Sequence, residues 1–230
     1  SGDFGEVRLG KLLVNTAYFA TADAVSFHNH DTGTSADAFY DVLGQMNNAI
    51  GYTASNVGGF KMVGQVGLKN GSGTGNNVTD KKVNPLALSA ETTLSGIGLG
   101  LGFDRGENAA GQAISATAIR ANYTDGPITY GGYLQSSSGT ANKRTAWRLS
   151  VMYTMDKNEF HFNYGAAGQR NSVVGSGAKQ MTLGYNYNLD KATKVYALVT
   201  SVNNDAAATY SVSTKGQDLR SVGAGFRYNF

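Results

Sequence analysis

Apolar and polar residues alternate with period two along most of this chain. At its end Val222, Ala224, Phe226, Tyr228 and Phe230 fall on one face of an extended segment, and Gly223, Gly225, Arg227 and Asn229 on the other. Successive strand side chains point to opposite faces, so such a segment has an apolar, aromatic side and a small or polar side. The same pattern recurs upstream. Leu99, Leu101 and Phe103 alternate with Gly98, Gly100 and Gly102, and Trp147, Leu149, Val151 and Tyr153 with Arg148, Ser150 and Thr154. It predicts twelve strands, at 4–12, 46–55, 59–69, 86–95, 97–105, 113–123, 127–136, 145–155, 159–167, 179–189, 193–202 and 219–230.

The connections between these strands are unequal. On one side they are tight: Asn56-Val57-Gly58, Ser95-Gly96, Thr124-Asp125-Gly126, Asp156-Lys157-Asn158 and Asp190-Lys191-Ala192. Gly and Asn tolerate positive φ and Asp bonds its own backbone, so these are turn residues for a physical reason. On the other side lie the longer stretches 70–85, 106–112, 137–144, 168–178 and 203–218, and one very long one, 13–45. Tight and long ends alternate throughout. The expectation is an all-β, transmembrane, antiparallel up-and-down β-barrel, its apolar face on lipid, its polar face on water, and its short turns on the periplasmic side. Tyr153, Phe160, Tyr187, Tyr228 and Phe230 lie beside the tight turns, where an aromatic girdle belongs. The bland alternative is a soluble antiparallel β-sandwich, which would mix turn lengths at both ends.

Composition narrows the choice. A length of 230 residues suits one domain, 1–230, or one large barrel. There is no Cys, which fits export through an oxidising compartment without disulfides. No run of about 18 apolar residues offers a membrane helix, but barrel strands carry lipid-facing residues only at every second position, so average hydropathy hides them. No basic-plus-apolar leader precedes Ser1, which suggests a processed or truncated chain. A net charge of +3, scattered along the sequence, gives no argument for nucleic acid.

Two stretches carry a family resemblance. The segment Ser1-Gly2-Asp3-Phe4-Gly5-Glu6-Val7-Arg8-Leu9-Gly10-Lys11 resembles the lead into the third loop of Gram-negative trimeric general porins of the β-proteobacterial type. Asn47-Asn48-Ala49-Ile50-Gly51-Tyr52, followed by Gly58-Gly59-Phe60, resembles the strand pair after that loop, and the terminal aromatics Phe226, Tyr228 and Phe230 resemble the barrel insertion signal. The resemblance implies a sixteen-stranded barrel whose G-D-F-G turn joins the fourth and fifth strands. The twelve strands here then correspond to the fifth through the sixteenth, and the chain is N-terminally truncated. It also implies a homotrimer in outer-membrane lipid that passes ions and small hydrophilic solutes without a cofactor. Residues 13–45 would be the inward-folded constriction loop. A loop of that length is normally functional.

The charges give candidate site residues. Loop acids Asp23, Asp31, Asp37 and Asp41 would face Arg8, Arg120 and Arg148 at the constriction, with Gln45, Lys61, Glu91, His161 and Arg227 on the pore wall. Charged pore rings set ion preference. Wall cations outnumber the wall acids Glu6, Glu91 and Asp104, which predicts weak anion preference. The family's pore-wall Arg before the Asn pair is Gln45 here, and its basic position after Ile is Gly51, so two positive sites are missing. A non-conducting barrel serving as surface adhesin or phage receptor is the functional rival; the many lumenal Gly, Ser, Thr and Asn favour water.

Other motifs fail on context. Asp31-Thr32-Gly33-Thr34 spells an aspartic-protease string, but it occurs once, beside His28-Asn29-His30, whereas that chemistry needs two adjoining carboxylates. His28 and His30, at i and i+2, could bind a transition metal in an extended segment, but no Cys or third His is near them, and exposed loop histidines are the plainer reading. Gly98, Gly100 and Gly102 precede no helix, which removes a dinucleotide loop; glycines alternating on a lumenal face let the loop or water approach closely. Asn77-Val78-Thr79 is a glycosylation sequon with no meaning in a bacterium. No nucleophile–base–acid arrangement and no metal site is apparent.

Overall fold

In the computed structural model, residues 1–13, 16–27, 39–41, 45–68, 83–107, 111–139 and 142–229 are described. They form one antiparallel sheet of twelve strands, each paired with its sequence neighbours. The strands are β1 (Gly5–Leu13), β2 (Gln45–Ala54), β3 (Lys61–Gly67), β4 (Leu86–Leu94), β5 (Ile97–Glu107), β6 (Ala113–Asp125), β7 (Ile128–Gly139), β8 (Arg144–Met155), β9 (Asn158–Ala167), β10 (Ala178–Asn188), β11 (Thr193–Asn204) and β12 (Leu219–Tyr228). All twelve coincide with the predicted segments. Several run two or three residues further toward the long-loop side, because Gly106, Glu107, Ser137, Ser138 and Gly139 continue their ladders there.

The tight turns are made as their residues require. Leu94 pairs with Ile97 across Ser95 and Gly96, whose φ values are +50° and +81°. Two positive-φ residues give the turn whose twist matches a hairpin. After β2 the turn centres on Gly58 and Gly59, both at positive φ, with Val57 bridged to Phe60, so β3 starts at Lys61 and not at residue 59. Asp190 Oδ1 accepts from the amides of Ala192 and Thr193, and these bonds hold its carboxyl below the usual carboxylate range.

The two faces are inverted relative to a soluble protein. Leu9, Ile50, Leu88, Leu101, Ile119, Leu134, Leu149, Phe162, Leu183, Val199 and Val222 are all exposed and run across the sheet on its outward face. An apolar surface of that extent marks a membrane contact, and its alternation with buried polar positions is the barrel pattern. On β12, Val222, Phe226 and Tyr228 are 80%, 63% and 57% exposed, while Gly223, Gly225 and Arg227 turn inward. Tyr153, Phe160 and Tyr185 pack ring to ring beside the tight turns. Phe230 lies outside the described residues.

The packed core is on the concave side. It lies between the wall and the segment that follows β1. Tyr18, Ala22, Val25 and Tyr40 pack on Ala118 and Tyr133, and Phe39 packs on Ala146, Ala167, Ala178 and Val202. Among the described residues β1 and β12 are each paired on one side only. Among the described residues no helix is long and apolar enough to cross a membrane, which says nothing of spanning strands.

Candidate pore lining and its loop

The inward face is a grid of cross-strand rows. One row reads Glu91, Gly100, Arg120, Tyr133, Arg148, Gly165, Gln180 and Val202 from β4 to β11. The neighbouring row toward the long loops reads Ser89, Gly102, Ala118, Gln135 and Ala146. A small residue in such a grid leaves space over the wall, and the segment after β1 occupies it. Its short helix α1 (Thr16–Ala20) packs on β4 and β5. A Cβ at Gly100 would sit 2.1 Å from the Ala20 carbonyl oxygen, and one at Gly102 would sit 2.7 Å from Ala17 Cβ. Only glycine permits that approach. Thr16 Oγ1 and Ser89 Oγ share a hydrogen bond of 2.6 Å. One turn of 3-10 helix (Asp23–Val25) reaches β7, where Val25 and Phe27 lie against Gly131.

The far end of the segment is held by charge. Arg144 is 2% exposed by side chain and donates to Asp41 from Nε to Oδ2 at 3.0 Å and from Nη2 to Oδ1 at 2.7 Å. Arg170 Nη2 donates to Oδ1 at 3.0 Å, and Ser137 Oγ to Oδ2 at 2.5 Å. The Asp41 amide donates to Gln135 Oε1 at 2.8 Å, and Gln135 Nε2 returns a bond to the Asp41 carbonyl at 3.0 Å. Arg144 also bonds the Phe39 carbonyl and the Tyr210 hydroxyl, so the loop 205–218 joins the same cluster. Burial alone would raise the Asp41 carboxyl; the charge and hydrogen bonds of Arg144, the Ser137 hydroxyl and the charge of Arg170 outweigh it and hold it below the usual range. Tyr18, Tyr40 and Tyr133 stack edge to face with centroids 5.3 and 5.5 Å apart. Burial keeps the Tyr40 phenol well above its ordinary range, so it stays a neutral partner for Thr21, 3.0 Å away.

The remaining wall charges fall into small groups. Glu91 bridges two cations, Lys61 at 3.2 Å and Arg120 at 3.5 Å. Arg120 also donates to the Leu99 carbonyl at 3.0 Å, and a Cβ at Gly100 would touch both its Nε and the Ala20 carbonyl, so it stands beside α1. Arg148 is 1% exposed and donates to Gln180 Oε1 at 2.8 Å. Arg8 faces inward but pairs with Glu6 of its own strand, both bonds at 2.9 Å. Nearer the tight turns, Asn186 Nδ2 lies 3.0 Å from His161 Nε2 and donates to Glu159 Oε2 at 2.9 Å. Arg227 sits opposite Lys194 on the same inward face. Asp104 is 1% exposed, and its carboxylate oxygens accept no hydrogen bond among the described residues.

Of the predicted site residues, Asp41 and Arg120 are thus brought to the segment and Asp23 is exposed on it. Gln45 opens β2, its backbone opposite Leu13. Asp31 and Asp37, with His28 and His30, lie outside the described residues. The sequence reading missed Arg144, Glu159 and Lys194. Parity counted back from each tight turn puts Glu159 and Lys194 inward, so that signal was available. Arg144 stood at a strand end that the reading placed in a loop.

This grid matches known proteins. The family of Gram-negative porins matches residues 1–207. Outer membrane porin protein 32 of Delftia acidovorans is 29% identical over 98% of this chain and 68% of its own length. Among solved structures, an anion-selective porin from Comamonas acidovorans superposes with a TM-score of 0.74 at 22% identity, over 100% of this chain and 76% of that one. OmpT of Vibrio cholerae, folded in vitro and in trimer form, gives 0.66 at 17% identity, over 98% and 77%. With an outward apolar face, an inward polar grid and a family match over nine-tenths of its length, the chain belongs to the Gram-negative porins and is a diffusion channel of the bacterial outer membrane.

Proposed function

We propose that residues 13–45 are the constriction loop of this channel and that the pore weakly prefers anions. The observation that carries the reading is the seat of α1 over Gly100 and Gly102 with Arg120 beside it. Water and solutes then pass between that segment and the opposite wall, screened by size and by the charges nearest the gap. Fixed charges act within a Debye length of about 8–10 Å at physiological salt, so only those near the segment count. There the group Lys61, Glu91 and Arg120 holds two cations against one carboxylate. Asp41 is already spent on Arg144 and Arg170. Arg8 is offset by Glu6. Arg120 is therefore the principal selectivity residue, with Arg148 behind it. The solved Comamonas relative is described as anion-selective, which agrees in sign. The work is selection and passage, not catalysis.

We further propose that the chain functions within a sixteen-stranded barrel. Open strand edges in lipid leave backbone groups unpaired at several kcal/mol each, and the 76% of the Comamonas chain that is covered is close to the three-quarters that twelve strands of sixteen make up. A homotrimer is the assembly we expect, by analogy with the trimer form of OmpT.

The test is the reversal potential of the full-length protein in a planar bilayer under a KCl gradient. Wild type should give a small anion-selective potential, and Arg120→Gln with Arg148→Gln should move it toward zero or to cation preference. A clear cation preference in the wild type, or no shift in the double variant, would reject the assignment.

A further inference from the structure

A concavity of about 1180 Å³ lies outside the lumen; its outward side chains belong to the lipid-facing surface of β4 to β8, with Phe60 at its edge. Its floor is the cross-strand pair Ala121 and Gly132, flanked by Leu99 on one side and Leu149 on the other. Ile119 pairs with Leu134 to wall it toward the long loops, and Tyr123 pairs with Tyr130 to wall it toward the tight turns. Trp147, the chain's single tryptophan, stands at its edge. Two small residues in a field of large ones make the pit. Pockets that hold drug-sized ligands run to roughly 300–1,000 Å³, so a lipid tail has room here.

We propose that this pit is a specific seat for an acyl chain of a phospholipid in the periplasmic leaflet. Its depth in the membrane selects that leaflet. Ala121 is four residues from Asp125 at the tight turn, and Gly132 is seven from Gly139 at the opposite end. At ~3.3 Å per residue that is about 13 Å against about 23 Å, so the pit lies in the periplasmic half of the apolar band. Its chemistry agrees. Every outward side chain around it is uncharged, which suits a hydrocarbon tail and offers no cation to the phosphates of a lipopolysaccharide. Tyr123 and Tyr130 form the rim toward the turn, where tyrosine's apolar ring and polar tip suit the headgroup boundary.

The single tryptophan supplies the assay. Full-length protein in detergent micelles is titrated with phosphatidylethanolamine carrying brominated acyl chains, which quench a tryptophan on contact. Quenching of Trp147 should saturate at about one lipid per chain. Ala121→Phe fills the pit and should require roughly tenfold more lipid for the same quenching, while Ala224→Phe, outward on β12, should leave the titration unchanged. Unbrominated phosphatidylethanolamine should reverse the quenching in the wild type, an arm that needs no variant to fold. The proposal is overturned if quenching only tracks the bulk fraction of brominated lipid. It is equally overturned if lipopolysaccharide displaces the probe at lower concentration than phosphatidylethanolamine does, or if the oligomer shields Trp147 from the probe altogether, as a second copy seated on the pit would.

Discussion

Neutralising Asp41 should loosen the described part of the segment after β1 that packs on the inward face of the sheet, while leaving the strands intact. Asp41 is the meeting point of two arginines, a serine hydroxyl and a glutamine amide, and Arg144 is buried almost completely by them. In Asp41→Asn the shape is kept and the charge is lost, so a buried guanidinium stays without its counter-charge. Removing one partner of a buried pair costs about 3–5 kcal/mol. Because Arg144 keeps the Phe39 carbonyl and the Tyr210 hydroxyl, the lower end applies. About 3 kcal/mol is roughly a hundredfold in the population of the released segment. Hydrogen exchange at the Asp41 amide, which bonds Gln135 Oε1, reads that population directly. Its protection should fall about a hundredfold in the variant, and single-channel current should become noisier. The pH dependence has a definite sign. The folded carboxyl lies below its ordinary value of 3.8, so its contribution is complete above that value and is lost as pH falls through the lower folded value. Wild-type protection should therefore hold from neutral pH down to about pH 4 and weaken only below it, whereas Asp41→Asn should be loose throughout. Equal protection in the two proteins at pH 7 would refute the latch.

Other consequences follow from the same geometry. Gly100→Val places side-chain atoms where the Ala20 carbonyl sits, which should push α1 into the lumen and lower single-channel conductance; an unchanged conductance would mean the glycine is not needed for that approach. Leu183→Arg puts a charge on the outward face in the middle of β10 and should cost about 2–4 kcal/mol in refolding into bilayers, with a change under 0.5 kcal/mol counting against the assigned faces. Reversal potential in Arg8→Gln should stay near wild type, since the Arg8 side chain is 61% exposed and its charge is screened by water and salt, and a shift as large as that of Arg120→Gln would contradict the ranking of the two.

Much of the architecture was readable in one dimension. Period-two alternation is a local property of the chain, and each strand, its inward face and its turn follow from residues within a dozen positions of each other. That is why all twelve strands, the parity of Arg227 against Phe226 and Tyr228, and the lumenal row Gly98, Gly100 and Gly102 could be written down from the sequence. The family resemblance rested on equally local motifs. What the sequence did not contain was which charges meet. Asp41 and Arg144 are 103 residues apart, and Arg170 is further still. Their meeting depends on how the sheet curves under the segment, and no alternation pattern carries that. The same holds for Arg8 and Arg148, alike by parity, yet one is paired with Glu6 and largely exposed and the other is covered. The pit at Ala121 and Gly132 is a third case: two unremarkable small residues on different strands become a concavity only when the hairpin register sets them side by side among leucines and tyrosines. Strand identity and facing are set by covalent spacing and burial preference, which the sequence by itself determined. Charge pairing and surface shape are set by distances across the folded sheet, which only the tertiary structure decided.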